Sequence, residues 1–542
     1  MIDVDSLEQC FPSAEEVPPE HRVIEPIDQR CTLVDGELKA WKGENRRIVS
    51  PIHLRGANGK LQPLDLGSVP QCGAFEAQEA LAAAVAAYDN GRGLWPTMTV
   101  AERIVCMQDF VKQMVARRRE VVILLMWEIG KSLADSEKEF DRTVDYIRAT
   151  IEALKEIDNN NSRFSIVDGI IGQVRRMPLG VVLCMGPYNY PLNETFATLI
   201  PALIMGNTLL FKPPTYGVLL LYPLLEAFRS SFPRGVINIV YGEGAEVIPG
   251  LLGSGKVNVL TLIGSSRVAD QLKKMHPKAN RLRAILGLDA KNAAIILPDA
   301  DLELAVKECL LGSLSFNGQR CTALKILLVH QSIAETFLRR FCEELGKLKI
   351  GMPWEKGVSI TPLPNLSKAA HMTEYVEDAL AQGARVVNDN GGTVCGTLFY
   401  PAVVYPVHEG MKLYREEQFG PVIPVMSFAD TETALDYVIT SDHGQQVSIF
   451  SSDAERIGTL VDPLVNQVCR VNINCQCQRG PDVFPFTGRK DSAEGTLSVT
   501  DALRSFSIRS MIAAKQTEEN KKILDKILVE HKSKFINTGY VF

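Results

Sequence analysis

Between residues 180 and 297, short apolar runs alternate with longer stretches whose apolar positions recur at helical spacing. Residues 180–185, 208–211, 236–241, 257–263 and 293–297 have the length and the Val, Ile and Leu content of strands. Residues 194–205, 217–230, 245–252 and 265–275 read as the helices between them. A strand that is apolar at every position, not at alternate ones, is covered on both faces, and a helix between successive strands makes the sheet parallel. The predicted fold class is α/β, with a doubly wound sheet.

A second series begins after Asp299: a helix over 302–311, the turn Asn317-Gly318-Gln319-Arg320, and strands over 325–330, 384–387, 403–405, 422–428 and 445–450. Residues 164–167 and 170–175 flank Asp168-Gly169, a pair that accepts the positive φ of a tight hairpin turn. Such a hairpin between two domains predicts a contact between copies of the chain, with a further strand expected near 496–499. The first 50 residues or so show no clear period and carry Pro18-Pro19, which predicts an arm that packs loosely or on a neighbour. In the tail from Thr517 to Phe542, Ile523, Leu524, Ile527 and Leu528 have the spacing of a helix packed on its own surface.

Composition narrows the function. A chain of 542 residues, 46% hydrophobic and 23% charged, is an ordinary globular protein of two or three domains. Its net charge of -6 argues against nucleic acid as a partner, and the basic run Arg117-Arg118-Arg119 reads as a solvated helix face. The apolar stretch 196–211 is broken by Pro201, Gly206 and Asn207 and is too short to span a membrane. Residues 1–20 are acidic and lack the pattern of a secretory signal, and the twelve cysteines have no paired framework, so a cytoplasmic protein is expected. Cys475-Gln476-Cys477 has no second ligand pair beside it, and no metal is expected.

Two glycine turns, Gly242-Glu243-Gly244 and Gly264-Ser265-Ser266, lie between a predicted strand and a predicted helix. Each is either a plain turn or a place where free backbone N–H groups face a phosphate. Cys321 follows Gly318-Gln319-Arg320 in a turn, where a guanidinium and fixed N–H groups would favour the thiolate a nucleophile needs.

These turns belong to an ordered set: Pro187-Tyr188-Asn189-Tyr190-Pro191, Phe211-Lys212-Pro213-Pro214, Gly264-Ser265, Gly318-Gln319-Arg320-Cys321 and Glu416-Glu417-Gln418-Phe419-Gly420-Pro421. In them, over roughly residues 70 to 510, the chain resembles the aldehyde dehydrogenase superfamily. The resemblance implies a dinucleotide-binding domain (61–162 and 179–287) and an α/β catalytic domain (288–490). It also implies a small hairpin domain for oligomerisation (163–178 and 491–512), between an N-terminal arm (1–60) and a C-terminal tail (513–542). A homodimer or homotetramer is implied with it.

By the same resemblance Cys321 attacks the aldehyde carbon, and the Asn189 amide with the Cys321 N–H holds the oxyanion. Glu417 binds the nicotinamide ribose, Phe419 packs beside the cofactor, and Gly244, Gly264, Ser265 and Leu288 line its site. Members that prefer NAD carry an acid three positions after the lysine matching Lys212; Thr215 stands there, which favours NADP. Arg142, Tyr190, Arg320 and Arg479 match the substrate-phosphate set of the non-phosphorylating glyceraldehyde-3-phosphate dehydrogenases. The implied reaction is oxidation of a small phosphorylated aldehyde, glyceraldehyde 3-phosphate, to 3-phosphoglycerate with NADP.

One position departs from the family. Where its Glu-Leu-Gly-Gly-Lys motif carries the general base, this chain reads Gly287-Leu288-Asp289-Ala290-Lys291. Asp289 is the candidate replacement. The alternatives are help from Glu417, slow unassisted hydrolysis, transfer to an acceptor such as coenzyme A, or a protein that binds dinucleotide with little turnover.

Overall fold

The computed structural model describes residues 3–23, 25–539 and 541. Its first sheet holds β1 (Val181–Met185), β2 (Thr208–Lys212), β3 (Ile237–Ile239), β4 (Val259–Ile263) and β5 (Arg283–Gly287) in the order β3-β2-β1-β4-β5, all parallel. Ala493–Glu494 closes the edge beside β5 in antiparallel sense. Every residue of β1 is buried, as an apolar strand without alternation requires. From β1 the chain lays β2 and β3 on one side and later β4 and β5 on the other, so a crevice opens beyond the carboxyl ends of β1 and β4. Open parallel sheets bind their ligands at such a reversal.

The second sheet holds β6 (Ala293–Ile296), β7 (Ile326–His330), β8 (Arg385–Val386), β9 (Ala402–Tyr405), β10 (Val422–Phe428), β11 (Gln446–Phe450) and β12 (Arg470–Ile473). Their order is β8-β9-β10-β7-β6-β11-β12, with only β8 antiparallel to its neighbour. Cys321 lies in the connection that enters β7. The amino ends of this sheet therefore face the carboxyl ends of the first.

Several expectations change. The stretch 217–230 is not one helix: a 3₁₀ turn over Leu219–Leu224 precedes the helix Leu225–Ser231, because Pro223 cannot continue an α-helical ladder. The strand expected near 496–499 is absent. Ser498 instead accepts the Asp501 N–H at 3.2 Å and caps the helix Val499–Ser505. The strand comes later, as Ser507–Lys515, paired antiparallel along its whole length with Ile170–Pro178. That strand also pairs with Ser165–Val167 across the turn at Asp168 and Gly169, with φ of 48° and 77°.

The amino-terminal arm packs into the body of the chain. Phe11, Leu33 and Ile52 are fully buried and share one core with Trp95, Phe110 and Phe196. Its strand Asn45–Arg55 pairs with Leu61–Pro70, and its alternating pattern is irregular because the register shifts twice along that pair. The tail forms the helix Glu518–Val529, but none of its residues is buried and Ile523 is 51% exposed, so the packing expected of its apolar face is not seen; beyond the helix Lys534 pairs with Glu102 at 3.0 Å, and Arg175 donates to the Asn537 carbonyl at 2.9 Å. Tyr540 and Phe542 lie outside the described residues. Among the described residues no helix is long and apolar enough to cross a membrane.

Candidate active site

Cys321 stands at the end of a strained turn. Phe316, Asn317 and Gly318 take consecutive left-handed conformations, with φ of 50°, 55° and 72°. Two such non-glycine residues cost roughly 1–3 kcal/mol each and persist only where the surroundings over-determine them. Here Asn317 donates to the Thr361 carbonyl at 2.9 Å and accepts the Thr361 N–H at 3.1 Å. A Cβ at Gly318 would lie 2.7 Å from the carbonyl oxygens of both Ser313 and Gly420, so only glycine fits. Asn292, just before β6, donates to the carbonyls of Cys321 at 2.8 Å and Ala323 at 3.1 Å and fixes the loop from the other side.

Asn189 reaches the same turn from the loop after β1. Its Nδ2 donates to the Gln319 carbonyl at 2.7 Å, and its own carbonyl accepts from Lys131 Nζ at 2.7 Å. Lys131 is fully buried, is ion-paired with Glu139 and lies 3.6 Å from the centroid of the Tyr190 ring. Glu139 in turn accepts the N–H groups of Leu192 and Asn193, each at 3.1 Å. A buried pair with all these partners holds the 189–193 loop in one geometry. Neither Lys131 nor Glu139 was singled out in the sequence; Lys131, just after the largely apolar run 121–129, was the available signal, whereas Glu139 sits among other charged residues.

Electrostatics at the thiol differ from the simple sequence expectation. Burial raises the Cys321 pKa, and the Glu417 carboxylate raises it further, against smaller opposing effects of Lys325, Gln445 and Arg320. The resting group is a thiol and needs a proton acceptor. The Glu417 carboxyl shares this environment: burial lifts it to about 7 although the Lys325 ammonium, 3.5 Å away, pulls the other way. Glu417 Oε1 is buried and has no hydrogen-bond partner. Lys325 Nζ donates to the Gly318 carbonyl at 3.1 Å, so one ammonium bridges the nucleophile's turn and the carboxylate. It begins the apolar run into β7, and a lysine at that position was the overlooked signal.

Asp289 is engaged elsewhere. Its Oδ2 accepts from both the N–H and the hydroxyl of Ser266, each at 2.8 Å, at the start of the helix Ser266–Met275. A carboxylate at a helix amino terminus is favourably placed there, and nothing in the geometry brings it to Cys321. Lys291, from the same segment, donates to the Glu416 carbonyl at 2.6 Å and to Gln418 Oε1 at 2.8 Å. The departure from the family motif thus leaves an empty side-chain position at Gly287 and a scaffold that still fixes Glu417.

The crevice between the sheets has the donors a dinucleotide needs. At one end Lys212 Nζ has its own neighbour's Pro213 carbonyl as hydrogen-bond acceptor at 3.0 Å, and burial lowers its pKa to about 8. A half-buried ammonium so poorly partnered is suited to an anion. Thr215 is exposed three positions on. Gly244 opens the helix Gly244–Gly253, and a Cβ there would meet nothing within 4 Å. Ser265 caps the helix Ser266–Met275, with Gly264 before it, and Leu288 lines the crevice floor beside Val181 and Leu262 in one buried cluster. At the other end stand Glu417 and Phe419, the latter at φ 46° with Lys325 4.4 Å from its ring centroid.

Beside Cys321 a second cavity of about 370 Å³ is walled by Arg142, Tyr190, Arg320 and Arg479, so the structure brings the whole predicted set together. Their charges are unequal in availability. Arg142 is held by Asp482 through two hydrogen bonds of 3.0 and 2.7 Å, and Arg479 is ion-paired with Glu194 and lies 3.4 Å from Asp482. Arg320 has no acidic partner among the described residues: Nη2 donates to the Gly312 carbonyl at 3.1 Å and to Gln476 at 3.2 Å, while Nε is buried and unsatisfied by any of them. A larger cavity of about 970 Å³ between the helices Leu302–Leu314 and Gln331–Leu345 does not reach the thiol.

Comparison with known proteins agrees with this geometry. Residues 62–512 match the aldehyde dehydrogenase family. The chain is 32% identical over 494 residues to the NADP-dependent glyceraldehyde-3-phosphate dehydrogenase of Streptococcus equinus, covering 90% of this chain and 98% of that protein. It is 28% identical over 405 residues to the 3-sulfolactaldehyde dehydrogenase of Priestia aryabhattai, covering 74% and 83%. Among solved structures, the NADP-dependent glyceraldehyde-3-phosphate dehydrogenase of Bacillus halodurans C-125 complexed with NADP superposes with a TM-score of 0.82 at 30% identity, covering 91% of this chain and all of that one. With its landmarks in order, its thiol at the meeting of two parallel sheets and five-sixths of its length matched, this chain belongs to the aldehyde dehydrogenase family.

Proposed function

We propose that the protein oxidises a small phosphorylated aldehyde, glyceraldehyde 3-phosphate, to the acid 3-phosphoglycerate with NADP. The observation that carries this reading is the cavity beside Cys321, which the Arg320 guanidinium, without an acidic partner among the described residues, lines together with Arg142, Arg479 and Tyr190. Phosphate needs several charge-assisted donors to replace its water, and arginine supplies them in a planar fork. The neutral Thr215 beside Lys212, and relatives named for NADP, support the cofactor.

In this reading the Cys321 thiol gives its proton to Glu417 as Sγ bonds to the aldehyde carbon. The oxyanion is held by the second N–H of the Asn189 amide and the Cys321 N–H, donors worth about 3 kcal/mol each in acyl chemistry. When bound between Lys212 and Glu417, NADP supplies the hydride acceptor. Cys321 then carries a thioester. Glu417, having by then passed the thiol's proton to solvent, and not Asp289, takes a proton from the attacking water, and the C–S bond breaks as the thiolate leaves and is reprotonated by the acid formed. Asp289 is assigned instead to holding Ser266 at the cofactor helix.

A second reading follows from the pairing of Arg142 and Arg479 with Asp482 and Glu194, which leaves one free guanidinium and suits a singly charged anion such as a sulfonated aldehyde. Relatedness to a 3-sulfolactaldehyde dehydrogenase supports it. The test is NADPH formation, read by absorbance, with the phosphorylated, the sulfonated and an uncharged aldehyde, for the parent protein and Arg320→Met. Preference for the phosphorylated substrate that disappears in the variant supports the first reading. Preference for the sulfonated one replaces it with the second.

We also infer a cytoplasmic homodimer or homotetramer. The sheet of Ser165–Val167, Ile170–Pro178 and Ser507–Lys515 supports this by leaving Ile166, Val167, Ile508 and Met511 at least half exposed.

A further inference from the structure

At the Lys212 end of the crevice stands a residue from the amino-terminal arm, outside the 62–512 segment matched to the family. Arg46 lies near the start of the strand Asn45–Arg55, opposite Val69 on the strand Leu61–Pro70. The chain leaving that second strand docks directly on the cofactor turn: at Gly242, φ 107°, a Cβ would sit 2.2 Å from the Cys72 carbonyl oxygen. Only a glycine allows this approach. The contact sets the arm's sheet against the loop that opens the helix Gly244–Gly253.

From there the Arg46 side chain crosses to the segment after β2. Its Nη2 donates to the Thr215 carbonyl at 3.0 Å, and Nε stands 4.0 Å from Glu243 Oε1, too far for a hydrogen bond. Among the described residues its other N–H groups have no acceptor. Its positive charge bears on Lys212, which it drives downward, and on the buried Glu128, which it drives down in the opposite sense of burial. Two cations and one long-range acid thus surround the spot where Thr215 stands. Arg46 as a simple surface partner of Glu243 would leave this geometry unexplained, since its one hydrogen bond goes to the Thr215 backbone and not to the carboxylate.

We propose that Arg46 recognises the 2'-phosphate of NADP, clamping it with Lys212 across Thr215, while Glu243 serves as the counter-charge that the phosphate displaces. This rests on the NADP reading above and extends it to a residue of the arm. A phosphate accepting from both groups relieves the repulsion between them, and the acid at Glu243 is outweighed by two cations. Selectivity for NADP over NAD then depends on the arm being folded.

The test is calorimetric titration of the full-length protein with adenosine 2',5'-bisphosphate and, separately, with 5'-AMP. The parent protein is expected to bind the bisphosphate more tightly. Arg46→Gln is expected to lose about tenfold to a hundredfold of that affinity and to bind 5'-AMP unchanged. Arg46→Lys is expected to recover part of it, and Glu243→Gln to bind the bisphosphate more tightly than the parent. If the parent prefers the bisphosphate but Arg46→Gln and Arg46→Lys match it, or if Arg46→Gln weakens both ligands equally, Arg46 is not the recognition residue and NADP use stands without it. If the parent shows no preference, the NADP reading falls together with the proposal.

Discussion

Replacing Glu417 by Gln tests the catalytic assignment most directly. The substitution keeps the size of a largely buried side chain and removes its ability to take a proton. Burial holds the parent carboxyl at about 7, so it is mostly protonated at pH 6 and mostly ionised at pH 8. The base form is the active one, so the parent's steady rate climbs about tenfold per pH unit below about pH 7 and levels above it. A positioned general base contributes about 10²- to 10⁴-fold, which corresponds to about 3–5 kcal/mol of barrier. Stopped-flow absorbance of NADPH separates the steps: the first turnover reports acylation and hydride transfer, and the steady phase reports thioester hydrolysis. In Glu417→Gln the steady phase is expected to fall by at least 10² and to lose its pH dependence near 7. Cofactor affinity, measured separately by NADPH fluorescence, accounts for the loss of any ribose contact. The reasoning is refuted if, at saturating NADP, the variant's steady rate stays within threefold of the parent, or if Asp289→Asn abolishes the pH limb in its place.

Three further outcomes are expected. A Cβ at Gly287 meets nothing closer than Ile263 at 3.5 Å, an ordinary contact, so the backbone there tolerates the first atom of a side chain; Gly287→Glu restores the family's carboxylate and is expected to raise the steady rate about tenfold or more, and an unchanged rate would mean that hydrolysis is not limiting. Asn189→Ala removes one oxyanion donor and is expected to slow the first turnover by about 10²-fold or more while leaving NADP binding intact, read in the same stopped-flow trace. Glu128 is lifted by burial to about 7 from 4.5 although it accepts the N–H groups of Val218 and Leu219. Its folded-state pKa is the higher one, so the folded state holds the proton more tightly and stability falls as pH rises from about 4.5 to about 7, by about 3 kcal/mol in all. Glu128→Gln is expected to flatten that part of the dependence in urea unfolding followed by circular dichroism.

The parallel sheets were legible because buried strands in such a sheet are apolar at every position, and the runs at 180–185, 259–263 and 422–428 have no competing explanation. β5 was missed because it opens on Arg283 and closes on Gly287, leaving three apolar residues between them. The strand expected near 496–499 failed because Ser498 and Asp501 make a helix cap that outweighs the β propensity of Val499 and its neighbours. At the site, the nucleophile and its arginines could be read from ordered motifs. Lys131, Glu139 and Lys325 could not, since their roles come from partners 8, 58 and 92 positions away that only the fold brings close. Asp289 was the one carboxylate near the missing glutamate in sequence, but distance along a strand end says nothing about which side of the sheet its side chain joins. Arg46 was hidden because its acceptor, the Thr215 carbonyl, is 169 positions away in the chain.

The close fit of Gly318 against the Gly420 carbonyl has a consequence for how this site can change over evolutionary time. The segment that carries the thiol and the segment that carries Glu417 are about a hundred residues apart in the chain, yet they interlock backbone to backbone, like two teeth of a gear. A side chain gained at Gly318, or a residue inserted in either segment, displaces the other, so the two must drift together or not at all. The arginine wall is built differently, from side chains balanced against Asp482 and Glu194, and single substitutions there alter charge without moving the backbone. New substrates are therefore expected to be acquired along that wall, while the chemistry stays locked where the two loops mesh.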